Sequence, residues 1–161
     1  MMSAFGRLLK WLFGGLLFFA AIFVAMVAYF VYTPEPEAPG LSGAVTRGAI
    51  EFEGRSRTYF AYVPRDLPRG APLLLILHGS GGDAATIRIE TGYAFDRLAD
   101  REGFAVAYPE AYEGYWNGCN STGDYGANAL NIDDVGFLSA LTRKIAEDIG
   151  ANERRVFVAG V

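Results

Sequence analysis

From Leu12 to Tyr32 the chain carries no charged residue. A run of about 21 such residues is close to the ~20 needed to cross a bilayer as a helix. It is apolar all round, so it has no polar face to turn toward water if it packs as a surface helix. Apolar all round and at the N-terminus, it reads as a membrane segment rather than a buried core helix, and it divides the sequence into an N-terminal apolar segment and everything after it. Arg7 and Lys10 precede the run, while Glu35 and Glu37 follow it. Positive flanks stay in the cytoplasm, which predicts that the chain after Tyr32 lies outside. Trp11 and Tyr32 stand near the two ends, where amphipathic rings favour the membrane interface. The run exceeds the h-region of an ordinary signal peptide and shows no small-x-small cleavage signature, although Val31-Tyr32-Thr33 lies near where one is expected and Pro34 follows it. We therefore expect a cytoplasmic stretch over 1–7, a membrane anchor over 8–32, and a Pro-rich linker over 33–43. Secretion after cleavage is the alternative. Alternating prolines make "TPEPEAPG" an extended, semi-rigid spacer.

The remaining residues, 44–161, have the pattern of one globular domain. The net charge of −4 offers no basic stripe for phosphates, which excludes nucleic-acid partners. Cys119 is the one cysteine, so neither an internal disulfide nor a zinc site of cysteines can form within these residues. Ile50 and Phe52 alternate with Glu51 and Glu53, and Tyr59, Ala61 and Val63 alternate with Phe60 and Tyr62. Glu53-Gly54 between them predicts a hairpin. "LLLILHG" and "GFAVAYPE" are short apolar runs bounded by turn signals, suited to strands covered on both faces. Gly79 to Gly82 form a loop, and a helix is expected over 93–102, with Phe95, Leu98 and Ala99 on one face. Ile132, Val135, Leu138, Leu141, Ile145 and Ile149 recur at helical spacing, with Asn131 as candidate cap and Gly150 as stop. "RRVFVAGV" reads as a last buried strand. A hairpin followed by strand, helix, strand, helix, strand implies an α/β fold with parallel strands. Sites in such sheets lie beyond the carboxyl ends of the strands. There "HGSGG" and the long loop from Ala111 to Leu130 converge.

The motifs "LLLILHGSGGDA", "FAVAYPEA", "YWNGC", "NIDDVGFLSAL" and "RRVFVAGV" occur in this order. Over roughly residues 48–161 the chain resembles the α/β-hydrolases, in particular the secreted esterases that include polyhydroxybutyrate depolymerases and feruloyl or acetylxylan esterases. The resemblance implies an antiparallel hairpin leading into a parallel sheet with flanking helices, the N-terminal half of that fold. It implies a Ser nucleophile, an acid and a His in chain order, with no metal or organic cofactor. The nucleophile belongs to G-x-S-x-G, and Gly160-Val161 match its first two positions. The chain is thus expected to be the N-terminal part of a longer enzyme, reaching to just before the nucleophile.

The backbone amide of Ser80 is implied as one half of the oxyanion hole; the Ser80 hydroxyl stands outside any G-x-S-x-G frame. His78, with Gly79, is expected to hold that loop by hydrogen bonds rather than to act as general base. Trp116 and Asn117 either rim the substrate pocket or pin the long loop to the body. Asp133 and Asp134, in the first turn of a helix, read as capping residues. Cys119 either pairs with a cysteine further along or is a small apolar side chain. The substrate is expected to be an ester, on a polysaccharide or a polyhydroxyalkanoate. Two rival readings share these residues, an anchored binding module without catalysis and a peptidase of the same fold. The topology is testable directly. Protease applied to spheroplasts should remove a C-terminal tag from an otherwise full-length chain; a protected tag, or a shortened product released from the membrane, overturns the anchor.

Overall fold

A computed structural model describes residues 4–32, 34–118 and 123–160. Cys119 and Val161 lie outside the described residues. Helix α1, Ala4–Val31, forms one unit, and residues 36–161 form the other. At 1.5 Å per residue, the 28 residues of α1 span about 42 Å. Its length and apolar composition suffice to cross a membrane, a test that a signal sequence also passes.

The second unit is a five-stranded sheet in the order β1-β2-β4-β3-β5. Strands β1 (Ala44–Phe52) and β2 (Arg55–Val63) form the expected hairpin. Its two-residue turn, Glu53-Gly54, has φ of 49° and 71°, the left-handed values a tight hairpin requires. Strand β2 pairs antiparallel with β4 (Ala105–Pro109). Strands β4 and β5 (Val156–Gly160) flank β3 (Leu73–Leu77), both parallel to it.

The helices cover both faces, as the apolar runs predict. On one face Tyr59, Ala61, Leu73, Leu75, Ala105 and Ala107 pack against Phe137, Leu141 and Ile145 of α5 (Asp134–Ile149). On the other, Tyr62, Ile76, Val106 and Tyr108 pack against Ala84 and Ile87 of α2 (Ala84–Glu90) and Ala99 of α3 (Ala94–Glu102). Neighbouring residues of each strand thus point to opposite cores, the two-residue period of a strand buried on both sides. Strand β5 departs from its expected burial: Phe157 and Val158 are 59% and 57% exposed.

Two local expectations are corrected, and two short helices are added. Helix α2 falls in a stretch to which the sequence reading assigned no element; Asp83 starts it by accepting from the amides of Ala85 and Thr86. The cap of α5 is Asp133, not Asn131, because the Asp133 carboxylate accepts from Gly136 N at 2.8 Å. Asp134 does not cap at all. It is buried and faces Arg57. A short helix α4, Gly126–Ala129, also lies in the long loop.

The second core holds a charge cluster. Asp96, fully buried, accepts from Arg88 Nε at 2.5 Å and from the Tyr108 hydroxyl at 2.8 Å. Burial raises the Tyr108 hydroxyl well above its ordinary pKa, and the Asp96 charge adds to this. The cluster joins α2, α3 and β4. Asp96→Ala leaves a half-buried guanidinium and the buried Tyr108 hydroxyl without their partner and should cost about 2–3 kcal/mol. Urea denaturation of the whole chain in detergent would show it as a lowered midpoint; a loss below about 1 kcal/mol contradicts the role given to the cluster.

Candidate active site

The carboxyl ends of β3, β4 and β5 meet at one rim of the sheet. Gly160 pairs with Leu77, so the two strands end side by side. A Cβ on Gly160 would sit 3.1 Å from Leu77 Cβ and 3.2 Å from Leu77 O, closer than ordinary packing allows. The glycine therefore lets β5 end tight against β3.

Beyond Leu77 the chain turns through His78-Gly79-Ser80-Gly81-Gly82 into α2. Gly81 has φ of 74°, and Gly82 N–H donates to Gly79 O at 3.0 Å to close the turn. Ser80 is exposed, and its amide has no hydrogen-bond partner among the described residues. His78 is 2% exposed. Its Nε2 accepts from Ala111 N–H at 3.1 Å, so the ring proton is on Nδ1, which donates to Gly79 O at 2.9 Å. Both ring nitrogens are occupied by the scaffold, and neither is free to take a proton from a nucleophile. Glu110 stands beside it, with Oε1 3.6 Å from Nε2 and Oε2 accepting from Ala84 N at 3.0 Å.

The segment after β4 lies across this loop. Gly81 N–H donates to Gly114 O at 2.9 Å, and the Trp116 indole N–H donates to His78 O at 2.9 Å. The Trp116 ring packs on the first core, with its centroid 5.3 Å from that of His78. Asn117 donates its backbone N–H to Asp134 Oδ2 at 2.7 Å and its side-chain amide to Ile132 O at 2.9 Å. The polar handles of Trp116 and Asn117 thus hold the loop to the body. An aromatic pair flanks them: Tyr115 and Tyr125 stack at 4.1 Å, with planes 10° apart.

Sequence reasoning missed Arg57 and Glu110, and took Asp134 for a cap. A signal for Arg57 exists in the pattern. It lies two residues before Tyr59 and four before Ala61, on the inward face of β2, and an inward arginine calls for a buried acid. Among the described residues, no group of three or more His, Cys, Asp or Glu side chains could hold a metal ion.

The fold is that of the α/β-hydrolases, as comparison with solved structures bears out. An α/β-hydrolase enzyme from the Lake Arreo metagenome superposes with a TM-score of 0.55 and 25% identity, over 78% of this chain and 37% of that one. A fluorophosphonate-binding serine hydrolase of Staphylococcus aureus, FphF, shares the fold at a TM-score of 0.55 and 18% identity, over 75% of this chain and 48% of that one. In sequence the chain is similar to esterases. It is 33% identical over 89 residues to NocK of Nocardia uniformis subsp. tsuyamanensis, provisionally designated an esterase; the match covers 53% of this chain and 25% of NocK. It is 30% identical over 108 residues to the bifunctional acetylxylan esterase/xylanase XynS20E of Neocallimastix patriciarum, covering 67% of this chain and 14% of that protein. The chain therefore spans a quarter or less of the length of these curated relatives. No family model matches it.

The Asp83 cap that begins α2 gives the rim a pH dependence. Hydrogen bonds from the Thr86 amide and hydroxyl hold its carboxyl below the ordinary carboxylate range. A group depressed in the folded state stabilises above its unfolded pKa, and the contribution is lost as pH falls through the folded value. Asp83→Asn keeps a capping oxygen without the titration. It should match the wild type near neutral pH within about 0.5 kcal/mol and show a shallower loss of stability in acid. Equally steep acid limbs in pH-dependent melting of the two proteins would remove Asp83 as a contributor.

Proposed function

We propose that the whole protein is a membrane-anchored serine ester hydrolase acting outside the cytoplasm, and that residues 44–161 supply the oxyanion side of its active site. The observation that carries this reading is the unpartnered amide of Ser80. It sits on a braced loop at the carboxyl end of β3, beside the end of β5. In this fold one oxyanion donor comes from such a loop amide, and the other from the residue after the nucleophile on the turn that follows the neighbouring strand. The nucleophile, acid and base then belong to parts of the protein beyond β5. Attack on the ester carbonyl places negative charge on its oxygen. A fixed amide stabilises that charge without having to reorganise, an effect worth about 10²–10³ in rate per donor.

The esterase relatives support ester chemistry, and the acetylxylan esterase name supports an acyl group carried on a polysaccharide. We take a polysaccharide ester as the substrate class, with polyhydroxyalkanoates, the depolymerase substrate, as the alternative polymer. Apolar α1 supports anchoring, and its N-terminal Arg7 and Lys10 support an outward-facing catalytic unit.

The test uses the whole protein and residues 1–161 side by side. The whole protein should be labelled by a fluorophosphonate probe at the Ser of the G-x-S-x-G that begins at Gly160, and should hydrolyse acetylated xylan and short-chain nitrophenyl esters. Residues 1–161 alone should do neither. Labelling of Ser80, loss of activity traced to His78 acting as base, or a whole protein that binds the probe nowhere would overturn the proposal.

A further inference from the structure

The segment 110–117 braces the oxyanion loop through the bonds from Ala111, Gly114 and Trp116 already described. What fixes that segment is a pair of charges remote from the rim. Arg57, on β2, and Asp134, at the start of α5, form an ion pair at 2.8 Å with side chains 4% and 7% exposed. Each has a second bond, and each of those goes to one end of the brace. Arg57 Nη2 also donates to Glu110 O at 3.1 Å, and the other oxygen of Asp134 accepts from Asn117 N–H at 2.7 Å. One buried pair thus grips both ends of the eight-residue segment whose middle touches His78 and Gly81.

Stability alone does not account for the pair. Apolar side chains of similar volume are often as good as a buried ion pair, or better. Here the pair also leaves Arg57 Nε without a hydrogen-bond partner among the described residues, a further cost, with the guanidinium carbon 3.9 Å from the Phe137 ring centroid. We infer that Arg57 and Asp134 are positioning residues: they clamp residues 110–117 so that His78 to Gly82 present the Ser80 amide in a fixed direction. The inference rests on the reading of Ser80 as an oxyanion donor.

The path is specific. From Asp134 it runs through the Asn117 amide to Trp116, whose indole holds the His78 carbonyl two residues before the Ser80 amide. From Arg57 it runs through the Glu110 carbonyl to Ala111, whose amide holds the His78 ring. Among the described residues neither charged side chain hydrogen-bonds to the loop, so the polar connection from either to Ser80 runs through the brace.

The test compares the whole protein with the double variant Arg57→Met/Asp134→Leu, which replaces the charges by apolar volume and leaves Glu110 O and Asn117 N without partners. Rates are expressed per active site titrated with the fluorophosphonate probe, so a partly unfolded preparation lowers the titre and not the rate. We expect kcat per titrated site to fall on the order of 10²-fold, the loss of one oxyanion donor, with KM within about threefold. Arg57→Lys provides the rescue. Both bonds from Arg57 leave the same nitrogen, and a single ammonium can donate to both oxygens. Its kcat should return most of the way to wild type. A second arm needs no catalysis: hydrogen exchange should show faster exchange over residues 78–84 in the double variant, with β3 and β4 unchanged. An unchanged kcat per titrated site, or unchanged exchange over 78–84, overturns the inference. A wild-type protein that neither labels nor turns over esters removes the proposed function instead, and the exchange arm alone then decides whether the pair holds the loop.

Discussion

The structure depends on β3 and β4 being buried on both faces. Leu73 and Leu75 point into one core and Ile76 into the other, and Ala105 and Ala107 divide from Val106 and Tyr108 in the same way. Strands without a solvent face need helices on both sides, which α5 provides on one and α2 and α3 on the other. Apolar side chains then fill most of both cores, and the polar groups buried there are taken up by one another. Everything that can meet a substrate is displaced to the strand ends, and at the carboxyl ends of three parallel strands those exits fall on one rim. Position follows from burial, before any catalytic residue is considered.

Among the described residues each core carries an ion pair that joins separate elements, half-buried and between neighbouring helices in one core, buried and 77 residues apart in the other. Arg88 and Asp96, completed by the Tyr108 hydroxyl, tie α2, α3 and β4 beneath one face. Arg57 and Asp134 tie the hairpin to α5 beneath the other. A third carboxylate works at the surface. Asp100 accepts from the Ser42 amide and hydroxyl and from the Tyr62 hydroxyl, where the linker enters β1. Burial works to raise the Asp100 carboxyl, but these hydrogen bonds outweigh it and leave the group below its ordinary pKa. Each of these carboxylates thus ties one element to another through bonds of fixed direction.

The rim is built from backbone rather than from reactive side chains. His78 has both nitrogens bound to the scaffold, Trp116 has its N–H on a carbonyl, and Asn117 faces the start of α5. Among the described residues of the loop, Ser80 is left exposed with its amide unpartnered. That suits an oxyanion site, where the requirement is a donor that does not move as charge develops. The polar residues that catch the eye in the sequence are bound to backbone groups: His78 and Trp116 within the rim, Asn117 at the start of α5.

Much of the architecture was legible in the sequence because it rests on local rules. The hairpin at Glu53-Gly54, the apolar runs that became β3 and β4, the helical period that became α5, and its stop at Gly150 follow from turn chemistry and side-chain period, which neighbouring residues determine between them. The length and apolarity of α1 belong to the same class. The ordered motifs carried the α/β-hydrolase fold, which the structural comparison bears out. Helix α2 was missed because seven residues show too little period, although Asp83 was a legible cap. The hydrogen bonds of the rim were not legible. Arg57 and Asp134 lie 77 residues apart, and Trp116 and His78 lie 38 apart. Whether Asp134 caps its helix or pairs with Arg57 depends on which face β2 presents to α5, and that is decided only when the sheet closes. Local propensity set the elements; the choice of partner for each buried polar atom waited on tertiary packing, because desolvation makes a partner obligatory and the chain sequence does not say which one will be within reach.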